Sequence, residues 1–155
     1  MAAFFIISLK KKASMQKINL FLFFAFLSFT INARSQDESA IKKLLSDQAA
    51  SWNRGSIEDF MKGYWQNDSL MFIGQSGITY GYTNTLNKYK KNYNNAAKMG
   101  NLFFTLIKVK RLSPEYYFVT GKWFLKRSIG DVGGYYTLLF RKIKGQWFIV
   151  TDHTS

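Results

Sequence analysis

Residues 100–155 alternate strand-forming runs with turn signals, and little except an antiparallel sheet can satisfy that pattern. Pro114, in Leu112-Ser-Pro-Glu115, cannot donate to a strand ladder and pre-sets its own backbone angle. Gly130-Asp-Val-Gly-Gly134 breaks the next pair, and Lys144-Gly145 gives a tight hairpin between two apolar runs. The intervening segments are rich in Phe, Tyr, Trp, Val and Ile, which suit a pleated, half-buried surface. Four strands joined as a meander are predicted, closing on Gln146-Trp-Phe-Ile-Val-Thr-Asp-His-Thr-Ser155.

Strand side chains alternate between faces. Strict alternation puts Tyr117, Val119, Gly121, Trp123, Leu125 and Arg127 together, and Trp147, Ile149, Thr151 and His153 together, with Asp152 opposite. Leu102–Val109 and Tyr135–Ile143 carry large apolar residues on both faces. A sheet apolar on both sides needs two covers. Helices are predicted over one face and a second subunit over the other.

Those helices lie upstream. Ile41, Leu44, Leu45, Gln48, Ala49 and Trp52 recur at helical spacing, with Asp37 as the expected cap and Gly55 as the stop. Ser56-Ile-Glu-Asp59 resembles a capping box opening a second helix that buries Ile57, Phe60, Met61 and Tyr64. Two short strands, Leu70–Ile73 and Ile78–Tyr80, precede a third helix, capped at Thr83 and running past Tyr93 to Ala97. The expected fold class is α+β: three N-terminal helices packed on a curved, mostly antiparallel sheet.

Ahead of the helices, Ile18–Ile31 is an apolar run preceded by Lys17 and followed by Ala33-Arg-Ser35, the build of a cleavable secretory signal. Met15 opens a better-proportioned signal than Met1. Cleavage after Ser35 would remove 35 of 155 residues and five of the 22 basic ones, leaving 120 residues of net charge +8 as one domain from residue 36 to 155. The expected compartment is periplasmic or extracellular, with no membrane attachment after cleavage. The lysines are scattered, so no nucleic-acid partner is expected. The chain has no Cys and a single His, which excludes disulfides and thiolate chemistry and argues against a zinc site.

The order helix, helix, two short strands, helix, four strands resembles the nuclear transport factor 2-like superfamily, in detail its SnoaL-like branch. Trp52-Asn-Arg-Gly55, Asp68, Gly81, Trp123 and the closing Trp147-x-Ile149-x-x-x-His153-x-Ser155 carry the likeness, over residues 37–155. The resemblance implies a cone enclosing a cavity, a homodimer packed through the sheet, and members ranging from ketosteroid isomerase to the association domain of calcium/calmodulin-dependent kinase. No positions match the base and oxyanion pair of ketosteroid isomerase. Fold gives a cavity, not a chemistry.

With Trp123 facing inward, the expected ligand-binding residues are Trp52, Tyr64, Trp123, Arg127 and Thr137, for a small anionic or aromatic ligand and without a cofactor. Arg127 would grip a carboxylate or phosphate. Asp68 and His153 are the catalytic pair expected if the protein is an acid/base enzyme. Asp152 and His153 point to opposite faces, so no Ser-His-Asp hydrolase is indicated. The function expected is small-molecule binding, with an isomerase-, dehydratase- or cyclase-like enzyme and a dimeric interaction module as alternatives.

Overall fold

A computed structural model describes residues 35–155; the expected signal segment lies outside the described residues. Ala40–Ser155 form a compact unit. Residues 35–53 are helical (α1), so Asp37 sits within a helix that is already running rather than capping it. Its buried stripe is Ile41, Leu45, Gln48 and Trp52, close to the spacing expected. Gly55 follows with φ 81°, and Ser56 caps α2 (Ile57–Met61) by accepting the Asp59 N–H at 3.2 Å.

The short strands β1 (Met71–Gly74) and β2 (Gly77–Tyr80) form a hairpin. Helix α3 (Tyr82–Asn92) starts one residue after Gly81, which takes the capping position, so Thr83 lies in the first turn instead. The helix stops at Tyr93, whose backbone leaves the helical region, and Asn95 caps a separate short helix α4 (Ala96–Met99). Ala97 therefore belongs to α4.

Four long strands follow: β3 (Asn101–Arg111), β4 (Tyr116–Lys126), β5 (Val132–Ile143) and β6 (Gln146–Thr154). The mixed six-stranded sheet runs in the order β2-β1-β6-β5-β4-β3, with only β1 and β6 parallel. Its inner face meets α1, α2 and α3 around a core that includes Tyr117, Val119, Leu125, Leu138, Phe140 and Ile149. Two motif residues tie α1 to α4 and β3: Trp52 Nε1 donates to the Met99 carbonyl of α4 at 3.0 Å, and Asn53 both donates to and accepts from the Leu102 backbone of β3.

Strict alternation fails once in β6. Leu139 pairs with Thr151, but the next residue, Phe140, pairs with Ile149. Val150 is thus an extra residue, a β-bulge, and a bulge reverses the face of everything beyond it. Trp147 and Ile149 face inward before it; Asp152 and Thr154 face inward after it, while His153 is exposed.

Candidate functional site

The bulge delivers a carboxylate to the interior. Asp152 is 3% exposed and pairs across the sheet with Leu138 and Phe72. The Gly63–Trp65 segment is laid on the same strand: the Ile149 N–H donates to the Gly63 carbonyl at 2.9 Å, and the Trp65 N–H donates to Ile149 at 3.0 Å. That anchoring brings the Tyr64 hydroxyl to Asp152 Oδ2, to which it donates at 2.6 Å. Thr154 Oγ1 donates to Asp152 Oδ1 at 2.8 Å. From α3, the Tyr89 hydroxyl lies 3.5 Å from that of Tyr64.

Burial dominates the electrostatics. It raises the Asp152 carboxyl from its ordinary 3.8 to about 6, against the lowering effect of the two hydroxyl donors and of His153. Removing a carboxylate from water disfavours its charged form, and the hydrogen bonds recover only part of that cost. The same burial, with the Asp152 charge beside them, holds the Tyr64 and Tyr89 phenols well above 10 and pushes Tyr136 to about 12. The tyrosines are therefore neutral at physiological pH, and Asp152 is the group able to change charge there.

Around Asp152 is a cavity of about 110 Å³. Its helical side is aromatic: Trp52 packs edge to face on Tyr93 at 4.7 Å and Phe60 on Tyr89 at 5.3 Å between ring centres, while Tyr89 and Tyr93 stack. The sheet contributes Phe72, Phe104, Trp123 and Tyr136, and Lys88 and Asn92 of α3 also line it. Dry apolar cavities of about 150 Å³ take benzene, so the enclosed part here suits a head group of comparable or slightly smaller size. Tyr136 lies over Gly121 of β4, its ring end and hydroxyl occupying the place a Cβ would take.

A solved structure carries enough sequence likeness to identify the family. It is an NTF2-like protein of unknown function from Shewanella oneidensis, 41% identical, with a TM-score of 0.74, matched over 77% of this chain and 98% of that one. The chain belongs to the nuclear transport factor 2-like family. More distant solved structures share the fold alone. An NTF2-like protein of unknown function from Pseudomonas putida is 15% identical (TM-score 0.65; 78% of this chain, 87% of that one). The hexachlorocyclohexane dehydrochlorinase LinA-type3 from Novosphingobium barchaimii is also 15% identical (TM-score 0.66; 79% and 88%). No family model and no curated protein matches the chain.

In this family member, Trp52, Tyr64 and Trp123 line the cavity, whereas Arg127, Thr137, Asp68 and His153 do not. His153 pairs with Thr137 and Ile73 on the outer face, because the Val150 bulge reverses the parity that would have turned it inward. Thr137 lies between inward-facing Tyr136 and Leu138 and so points outward. Arg127 has left β4 and is held in the following turn: its backbone N–H donates to Asp131 Oδ1, and its Nε donates to the Gly130 carbonyl. Asp68 is exposed in the turn before β1, with its backbone against Gly81. The Asp68–His153 pair therefore does not meet in the cone.

Asp152 takes the place expected for His153. The trace of the bulge in the sequence is Trp147-Phe-Ile-Val150, four consecutive apolar residues where a half-buried strand should alternate.

Proposed function

We propose that this protein is an exported, homodimeric small-molecule-binding protein that takes the head group of its ligand into the cone and orients it on Asp152. The observation that carries the reading is one buried carboxylate in a mainly aromatic cavity of about 110 Å³. A largely apolar pocket with a few convergent polar groups is the usual build of a small-molecule site. A chain selected only for stability would gain by filling this space and removing the charge. Export is supported by the Ile18–Ile31 run and the Ala33-Arg-Ser35 pattern, and N-terminal sequencing of the mature protein tests it. Placement in the SnoaL-like branch rests on the Trp52–Gly55 and Trp147–Ser155 motifs.

The binding reading is tested by NMR with a panel of small fragments. Fragments that enter the cone are expected to shift the indole N–H signals of Trp52 and Trp123 together. A panel that leaves both unmoved overturns the reading.

A second reading is favoured by the raised Asp152 pKa. A carboxylate titrating near pH 6 is a stronger base than an ordinary Asp and still mostly ionised at pH 7. It could remove a proton beside a carbonyl, with Tyr64 steadying the carboxyl group. Exchange of α-protons of small ketones for deuterium, abolished in Asp152→Asn, is the expected signature. No exchange above the buffer rate rules that chemistry out.

A further inference from the structure

We infer that the ligand's buried end is a cation, a protonated or quaternary ammonium group, held between Asp152 and the aromatic wall. The inference rests on the binding reading above and specifies its chemistry. Buried charges are normally paired. Asp152 receives hydrogen bonds from Tyr64 and Thr154, yet among the described residues no salt bridge reaches it. Two donors leave acceptor capacity on both carboxylate oxygens.

The groups around Asp152 fit a cation better than an anion. Tyr64 and Tyr89 approach from the helical side and Tyr136 from β5, all neutral phenols; on its own strand only His153 is titratable, and that side chain is on the outer face. The negative faces of aromatic rings attract ammonium groups. The chain already uses its wall in that way: Lys88 Nζ lies 5.0 Å from the centre of the Phe72 ring, with Thr79 Oγ1 as its hydrogen-bond partner at 3.1 Å. Lys88 is thus occupied at the cavity lining and is not among the groups that perturb Asp152. An anionic head group would instead meet the carboxylate directly.

The experiment compares three probes of one shape: choline, its uncharged carbon analogue 3,3-dimethyl-1-butanol, and the anion 3,3-dimethylbutanoate. Binding to the full mature chain is measured by calorimetry at constant ionic strength, at pH 5 and pH 8. Choline is expected to bind about tenfold more tightly than the alcohol at pH 8, as a desolvated cation–π contact with a charge partner provides. At pH 5, where Asp152 is mostly protonated, the advantage should shrink to about twofold. Asp152→Asn should remove the difference between choline and the alcohol at both pH values. Equal affinity for choline and the alcohol at pH 8, or preference for the anion, overturns the cationic assignment and leaves the binding reading standing. If none of the three binds and the indole signals stay still, the binding reading falls too. The pH comparison on the unaltered chain decides the matter even if Asp152→Asn does not fold.

Discussion

Asp152 makes the fold pH-dependent in a direction opposite to that of most carboxylates. In the unfolded chain the group titrates near 3.8, and in the folded chain near 6. Between those values the folded state keeps a proton that the unfolded state has released. Stability from this group is therefore greatest below about pH 4, declines as pH rises, and levels off above pH 6. The difference between the two plateaus is about 3 kcal/mol. Asp152→Asn, which keeps the shape without the charge, should abolish the decline and leave the variant more stable than the parent at pH 7.5. Denaturant midpoints at pH 4, 5, 6 and 7.5 measure it; a variant that is less stable at pH 7.5 contradicts the account. Tyr64→Phe acts in the other direction. It removes a donor that lowers the Asp152 pKa, so the carboxyl should titrate above 6 by NMR, with a stability loss of roughly 1–3 kcal/mol at neutral pH. A carboxyl still titrating near 6 would mean that the Tyr64 bond contributes little.

At the scale of elements, the site is set by one extra residue. Helices and strands were legible because apolar residues repeat with the right periods and turn residues sit between them; α1, the Ser56 cap of α2 and the β5–β6 hairpin follow directly from such patterns. The same rules name Trp52, Tyr64 and Trp123 as cavity residues, because none of the three lies beyond a register change. They fail at His153 because periodicity reports a strand's faces only while the ladder is regular. The bulge depends on how β6 meets β5 and the Gly63–Trp65 segment, which are far apart in sequence. Arg127 lies outside the cavity for a related reason: β4 ends at Lys126, so strand alternation does not govern it. Deleting Val150 tests this view. It should restore regular pairing while turning Asp152 outward and His153 inward, so that the Asp152 carboxyl titrates near its ordinary 3.8 and the buried Tyr64 hydroxyl loses its acceptor. Retained stability and an unchanged Asp152 titration would show that the strand slips to rebuild the bulge elsewhere.

At the scale of the whole molecule, the sheet has one face covered by helices and one that no described residue covers. On the bare side Phe103 is 52% exposed, Phe118 38%, Phe124 42% and Tyr135 54%, contributed by three adjacent strands. Phe103 and Phe124 lie 6.5 Å apart between ring centres, and Lys122 Nζ sits 5.0 Å from the centre of the Tyr135 ring, so its charge rests on an aromatic surface. Large exposed apolar patches on monomeric proteins often mark interaction sites. The outermost strand β3 carries Lys108, Lys110 and Arg111 near its end, a charge pattern that discourages pairing along the edge. Face-to-face packing of two copies, which the family resemblance implies, is the arrangement we propose for this surface. A two-fold interface brings each substitution in twice, once from either copy. Phe118→Glu, on the middle one of the three strands, should therefore place two charges in the proposed contact. Light scattering of the purified chain is expected to give the mass of two copies for the parent and of one for Phe118→Glu, with the Asp152 titration intact in the separated subunit. A parent that runs as a single copy removes the dimer. A variant that stays paired would move the contact to another surface.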